Sequence, residues 1–314
     1  MKTSIAMATF NGAEYLEEQL LSFAEQNRLP DELVVSDDHS TDETWDILSR
    51  FAASASFPVR IVKSKCNEGV TPNFQSALEM SAGDIIFLSD QDDVWPKNKL
   101  SDVASVFESN PDTAMVFANA LIVDNALRPL GKTLWEAFEF TVAEQSEFDS
   151  DPFTFLLTNR NVVTGAAAAF ARKVVDAALP IPVSPAIPHD AWLALIASHL
   201  TTVRRDPNKL LLYRQHPNQV TGVTRSHPNS GKQHYIVHLE HLTALHDRMR
   251  QYPSPDQIRN LELTRCYIEH LRARIELNPT LLGRIGPVFQ ELSSGRYSRF
   301  SSGLRSAAKD LLSG

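Results

Sequence analysis

Over its first hundred residues the chain alternates short apolar runs with stretches whose apolar residues recur at helical spacing. The runs Ser4–Thr9, Glu32–Ser36, Val59–Val62 and Ile85–Ser89 predict strands, and Ala13–Gln26, Asp42–Ala52 and Pro72–Met80 predict the helices between them. Runs this short, β-branched and apolar on both faces suit parallel strands covered by helices. The repeated strand–helix order predicts an α/β sheet. Ser40, with Glu43 three residues on, predicts a capping box, and Thr71-Pro72 places a proline at a first helical position. Met115–Val123 predicts another strand. Residues 131–150 are acidic, aromatic and aperiodic, which predicts a loop or lid, and the small-residue run Gly165–Phe170 fits strand or helix equally. Pro180, Pro182, Pro185 and Pro188 make an irregular approach to His189-Asp190, after which Trp192–His199 is helical in pattern. The Ser, Pro, Asn and Gly of Ser226–Lys232 predict a linker, and His234–Arg250 and Pro255–Leu277 predict a pair of helices beyond it. The expected division is an α/β domain over 1–225 and a helical region over 226–314.

Composition narrows the class. With 314 residues, 43% hydrophobic and 22% charged, the chain is a folded globular protein of one large or two modest domains. Two cysteines, Cys66 and Cys266, cannot build a disulfide framework or a cysteine-rich zinc module, which suits a reducing compartment. The N-terminus lacks the pattern of a secretory signal, and no stretch approaches the roughly 18 apolar residues that span a bilayer, so a cytoplasmic protein is expected. The net charge of −8 argues against nucleic acid as a partner. That average hides a division: residues 1–150 carry 10 basic and 26 acidic side chains, residues 151–314 carry 20 and 12. An acidic half can supply carboxylates to a divalent cation, and a basic half can face an anionic substrate or membrane surface.

The chemistry concentrates where Ile85–Ser89 ends in Asp90-Gln91-Asp92-Asp93. Three carboxylates within four positions repel one another unless a cation or solvent offsets them. The carboxyl end of a parallel strand is also where open α/β sheets bind ligands. Hard oxygen donors favour Mg²⁺ or Mn²⁺, with remaining positions taken by water or phosphate oxygens; a solvated acidic turn is the plain alternative. A second strand ends alike, in Asp37-Asp38-His39-Ser40-Thr41-Asp42, where Asp37 or Asp38 can accept from a nucleobase or ribose and Asp42 suits the following helix N-terminus. Neither a G-x-G-x-x-G nor a Walker loop is present.

These elements, taken in order, resemble the inverting family-2 glycosyltransferases of GT-A fold. The matching stretches are Thr9-Phe10-Asn11-Gly12, Asp37-Asp38-His39-Ser40-Thr41-Asp42, Asn67-Glu68-Gly69 and the DxD element Asp90-Gln91-Asp92-Asp93, within residues 1–225. The resemblance implies a mostly parallel sheet flanked by helices, a nucleotide-diphosphate sugar donor, and Mg²⁺ or Mn²⁺ as cofactor. It implies that Thr9, Phe10, Asn11 and Asp38 hold the nucleoside, that Asp90 lies near ribose and metal, and that Asp92 coordinates the cation. Asn67 and Gln91 are further substrate-binding candidates within the matched elements. Two positions depart from the pattern: His39 stands where the family usually has glycine, and Asn73-Phe74 where many members have an arginine. Pro188-His189-Asp190-Ala191-Trp192 looks like the acceptor-side element, which makes Asp190 the catalytic base. Tyr213-Arg214-Gln215-His216, followed by Asn218-Gln219-Val220-Thr221-Gly222, resembles a distal segment that closes over the donor, with Arg214 a phosphate contact and His216 a metal ligand or diphosphate contact. The whole set looks like the rhamnosyltransferase-like branch, which would take TDP-rhamnose, or another nucleotide sugar such as a UDP-sugar. Its acceptor would be a surface polysaccharide or a lipid-linked saccharide precursor.

Two rivals stay open at this point. A magnesium-dependent phosphotransferase or phosphatase could use the Asp90 cluster, although Asp93 is followed by Val94-Trp95-Pro96 rather than a close Ser or Thr. A noncatalytic saccharide or nucleotide binder would carry the same motifs in degenerate form. The tail Leu281–Gly314 sets Arg284, Arg296, Arg299, Arg305 and Lys309 against Glu291 and Asp310 amid many apolar residues. It is a candidate for peripheral contact with the inner face of a membrane, the competing reading being that it packs on the preceding helices, with Gly286-Pro287, Gly295 and Gly303 breaking any long helix.

Overall fold

The computed structural model describes residues 1–184, 188–217, 219, 232–252 and 258–312. Eight strands form one sheet: β1 (Thr3–Thr9), β2 (Glu32–Asp37), β3 (Val59–Lys63), β4 (Ile85–Ser89), β5 (Thr113–Val123), β6 (Pro129–Thr133), β7 (Ala168–Ala171) and β8 (Thr202–Arg214). Their order is β3-β2-β1-β4-β7-β5-β6, with β8 pairing β5. The first four strands are mutually parallel, β7 runs antiparallel between β4 and β5, and β8 lies parallel to β5. Every residue of β1 and β4 is buried, as strands covered on both faces require.

Helices α1 (Ala13–Ala24), α2 (Thr44–Ser54), α3 (Val70–Met80) and α4 (Lys99–Ser109) follow β1 to β4 in turn. The register Thr9↔Asp37 brings the ends of β1 and β2 level, and Met7↔Ser89 ends β4 two residues short of them, so the loops that leave all three share one edge. Two helix starts differ from expectation. Ser40 does not cap α2; its hydroxyl donates to Asp37 Oδ2 at 2.5 Å, and α2 begins at Thr44. Pro72 is the third residue of α3, not the first. Asp42 instead joins two helix N-termini, accepting from Ala13 N and Thr44 N, each at 3.1 Å, where a carboxylate also meets the positive ends of both dipoles.

The span expected as a loop is ordered: after β6 come α5 (Leu134–Ala137) and α6 (Val142–Ser150). Thr133 and Glu136 form a capping box at the start of α5. Phe148 packs edge-on against Phe117 at 5.2 Å and near Phe140 at 6.0 Å, so one aromatic cluster fixes a helix that is otherwise acidic and exposed. Beyond it lie α7 (Pro152–Thr158), capped by Asp151, then a single 3₁₀ turn, Gly165–Ala167, leading into β7, and α8 (Arg172–Ala178) and α9 (His189–Leu200).

Contacts divide the chain into two compact units: the described residues of 1–150, 162–183 and 189–225, and those of 151–161, 184–188 and 226–314. The second holds α7 with α10 (Lys232–Met249), α11 (Ile258–Ile275), α12 (Leu281–Ser293), α13 (Arg296–Phe300) and α14 (Leu304–Leu312). Helices α10 and α11 pack together, and the tail helices close on α11 through buried polar links. Arg274 makes a bidentate pair with Asp310 at 2.6 and 3.1 Å, Tyr297 donates to the same carboxylate at 2.8 Å, and His270 Nδ1 meets Glu291 at 2.8 Å. Breaking such a buried pair by removing one partner costs about 3–5 kcal/mol. Gly286-Pro287 does not interrupt α12, whereas Gly295 and Gly303, both at positive φ, do separate the tail helices. The expected linker 226–231 and the start of the Pro255 helix lie outside the described residues.

Candidate active site

The loops after β1, β2 and β4 are stitched to one another by short polar contacts. Phe10 N donates to Gln91 Oε1 at 2.8 Å and Gln91 Nε2 donates back to Phe10 O at 3.0 Å, so one side chain joins the β1 and β4 loops. A Cβ on Gly12 would stand 2.2 Å from Gln91 Oε1, so a larger residue there would push the Gln91 side chain out of this bridge. Asn11 N donates to Ser40 Oγ at 2.8 Å, and Asn11 Oδ1 accepts from Thr41 N at 2.9 Å, tying β1 to β2. Phe10 is exposed, with its ring free to cover a planar ligand. His39 sits at φ +65°, the left-handed region that glycine adopts without strain, which accounts physically for the glycine usual there.

Several candidates face inward. Thr9 is buried, its hydroxyl donating to Asp37 Oδ2 at 3.1 Å. Asp38 is 2% exposed, and its two oxygens accept from Glu68 N and Gly69 N, each at 2.8 Å. Its carboxylate shapes the loop that carries Asn67, which is exposed. Arg214 is corrected more sharply. Its side chain is wholly buried: Nε donates to Asp92 O at 2.7 Å, and the other nitrogens reach Asn125 O and the Glu18 carboxylate. With each nitrogen engaged, the guanidinium underpins the Asp92 backbone and is not presented to an open phosphate site.

The acidic loop is split by depth. Asp93 is buried, with Oδ1 accepting from Arg214 N at 3.0 Å and Oδ2 without a partner among the described residues. Burial, then the neighbouring Asp92 and Asp90, holds its carboxyl well above the usual range. Burial likewise, with Asp92 and Asp190 nearby, pushes Asp90 up to about 7. Asp92 keeps some exposure, and its Oδ2 lies 2.8 Å from His216 Nε2, while the His216 ring rests on Tyr15 at 4.6 Å.

That pair fits a hard divalent cation. Two ligands at right angles on one ion at about 2.1 Å stand about 3 Å apart, close to the observed separation. No group of three or more ligating side chains occurs among the described residues. A site with one carboxylate and one imidazole would leave positions for water and phosphate oxygens, the carboxylate being the hard donor that suits Mg²⁺ or Mn²⁺ and the imidazole the softer member of the pair.

Asp190 opens α9. Its Oδ1 accepts from Ala191 N at 2.7 Å and its Oδ2 from Gly165 N at 3.1 Å, so the 3₁₀ turn before β7 orients the carboxylate. A Cβ on Gly165 would meet Asp190 Cβ at 3.3 Å and His189 Nε2 at 3.4 Å. His189 is buried and stacks on Phe74 at 4.1 Å, so at the position without the family's arginine an aromatic ring supports the residue beside Asp190. Asn73, its neighbour, donates to Thr9 O at 3.0 Å.

Lys99, Gly165, Tyr15 and Glu18 were not legible as site residues. Lys99 is buried, donates to Ala166 O at 2.6 Å and lies 3.7 Å from the Trp95 ring centre. It thereby ties the segment after the acidic loop to the turn that orients Asp190. Burial lowers its ammonium to about 7, against the opposing pull of Asp93 and Asp90. Of the segment Asn218–Gly222, only Gln219 lies within the described residues; it donates to Arg214 O.

Comparison with known proteins agrees with this layout. The model of glycosyl transferase family 2 matches residues 4–177, more than half the chain. An uncharacterized glycosyltransferase of Nostoc sp. is 25% identical over 220 residues, 69% of this chain and 65% of its own. The dTDP-rhamnosyl transferase RfbG of Shigella flexneri is 36% identical over 119 residues, 36% of this chain and 38% of its own. The chain thus spans less than two thirds of the length of these relatives. Among solved structures, S. aureus TarS 1–349 with UDP-GlcNAc superposes with a TM-score of 0.59 at 13% identity, covering 98% of this chain and 91% of that one. The mannosyltransferase PcManGT of Pyrobaculum calidifontis, solved with GDP-Man and Mn²⁺, gives 0.52 at 16%, covering 99% and 87%. The fold is that of the GT-A glycosyltransferases.

Proposed function

The chain belongs to glycosyl transferase family 2, and from that premise we propose that it moves a sugar from a nucleotide-diphosphate donor to a hydroxyl of a surface polysaccharide or its lipid-linked precursor, with inversion. The observation that carries this reading is the convergence of Asp190 with the end of β4 that bears the Asp90–Asp93 loop: Gly165, which donates to Asp190 Oδ2 at 3.1 Å, stands against Leu88, where a Cβ on it would meet Leu88 Cδ1 at 3.4 Å. Asp190 takes the proton from the acceptor hydroxyl, the oxygen attacks the anomeric carbon, and the bond from that carbon to the diphosphate breaks. Gly165 N and Ala191 N hold the base in place, and the shared sheet edge orients both substrates for a direct displacement.

Asp92 and His216 would hold Mg²⁺ or Mn²⁺, which when bound supplies Lewis-acid stabilisation of the departing diphosphate. The Mn²⁺ in the PcManGT structure is in keeping with that choice. Phe10 and Asn11 meet the nucleoside, with Gln91 setting their loop and Asp38 setting the loop that carries the exposed Asn67. Asp90 lies on the ribose side, Thr9 buttresses the edge from beneath, and Arg214 serves as the support under Asp92. The rhamnosyl relative supports a TDP-rhamnose donor ahead of a UDP-sugar. A cytoplasmic protein in peripheral contact with the membrane's inner face suits a lipid-linked acceptor. No helix among the described residues is long and apolar enough to cross a bilayer.

The test is a donor screen. Incubated with Mn²⁺ and a panel of nucleotide sugars, the protein is expected to release nucleoside diphosphate from TDP-rhamnose faster than from UDP-glucose or UDP-GlcNAc. Release of inorganic phosphate from a phosphomonoester, with every sugar donor intact, would favour the phosphatase reading instead.

A further inference from the structure

The tail sorts its apolar residues into two sets. Val288, Tyr297 and Ala307 form a buried core, with Leu277, Leu292 and Leu311 packed against it. Leu281, Leu282, Ile285 and Phe289 of α12 stay exposed, Leu282 at 81% and Phe289 at 69%, as do Leu304 at 77% and Leu312 at 80% in α14. At 3.6 residues per turn, the four in α12 occupy an arc of about 100°, an exposed apolar stripe over the helix's first turns that is bordered by buried Val288 and ends at Leu292, which packs on the core.

The charges are sorted too. Both acids of the tail are buried in internal pairs, Glu291 with His270 and Arg296, and Asp310 with Arg274. Arg284 is also buried, donating to the carbonyls of Asn278 and Pro279. The exposed charged side chains between 281 and 312 are all cations, among them Arg299 and Arg305. We propose that the α12 face and these cations dock the protein on an anionic lipid surface, the helix lying in the interface with its apolar side chains among the acyl chains. An isologous dimer through the same patch would offer these cations no carboxylate of the tail, since Glu291 and Asp310 are both buried, which disfavours a second chain as the occupant. The inference deepens the lipid-linked acceptor proposed above and takes its purpose from that reading. Its test needs neither donor nor acceptor.

The full chain is sedimented with vesicles of phosphatidylcholine, with and without phosphatidylglycerol, at low salt. Binding is expected only to the anionic vesicles. Leu282→Glu/Phe289→Glu should lower it at least tenfold, and Arg299→Gln/Arg305→Gln roughly 30-fold, which corresponds to about 1 kcal/mol per cation. Both pairs are exposed, so circular dichroism and the thermal midpoint should stay at wild-type values. Removing the whole tail would instead strip Tyr297 and Phe300 from α11, so substitution is the cleaner probe. Absence of wild-type binding, or equal binding by wild type and both variants, overturns the proposal. So does a concentration-dependent dimer abolished by Leu282→Glu/Phe289→Glu without vesicle binding. Nucleotide release from the donor is unaffected by these variants, so a failed transfer reaction and a failed docking surface are separate results.

Discussion

Asp190→Asn is expected to lower sugar transfer by roughly a hundred- to ten-thousand-fold while donor affinity stays within a few-fold of wild type, because a general base acts on the acceptor hydroxyl. Asparagine keeps the shape, but its one amide oxygen can accept from only one of Gly165 N and Ala191 N, so the thermal midpoint is compared alongside to separate loss of the carboxylate from loosening of the 3₁₀ turn. The variant is compared with wild type by initial rates under saturating donor and by titration of the nucleoside diphosphate. Parallel loss of affinity and transfer would move Asp190 into the donor site. Wild-type transfer would remove it from catalysis.

Asp92→Asn is expected to reduce turnover by at least a hundredfold, and excess chelator should do the same to wild type. The carboxylate is the one anionic ligand paired with His216, and an amide oxygen binds a hard cation far less well. The side chain is partly open, so its loss should leave the thermal midpoint near wild type. Arg214 holds the Asp92 backbone from below and is untouched by the change. Full activity of Asp92→Asn, or of chelated wild type, would contradict the metal assignment.

The sequence made some parts of this fold legible for physical reasons and concealed others. Strands β1, β2 and β4 are buried along nearly their whole length, so their apolar runs read directly. Strand β8 was missed because it mixes Arg204, Arg205, Asp206 and Lys209 into its first half, where it is half exposed, and only Leu210–Leu212 read as apolar. Helix α6 was hidden because what fixes it, the packing of Phe148 on Phe117, joins residues far apart in the chain. The tail was read as one interleaved stretch because burial alone separates Val288 and Tyr297 from Leu282 and Phe289.

The site divides along the same line. Carboxylates bunched at strand ends are conspicuous in any sequence, since nothing but solvent or a cation relieves them. Whether a charged side chain faces outward is not written locally. Arg214 looked like a phosphate contact from its neighbours, yet its partners Glu18, Asp92 and Asn125 come from three distant segments. Lys99 reaches Ala166 across 67 positions, and Gly165 touches Asp190 across 25. Only the folded chain shows that the segment after the acidic loop and Asp190 are held by one connected set of contacts.

The central claim, inverting transfer at this sheet edge, is tested most directly by the anomeric configuration of the first product. With the rhamnosyl donor, Mn²⁺ and a saccharide acceptor, NMR of the product formed before any later equilibration reads the configuration at the transferred carbon. A single displacement driven by Asp190 predicts a configuration opposite to the donor's, with no covalent sugar on the protein. Retention of the donor configuration, or a sugar adduct trapped on the chain, would contradict the account.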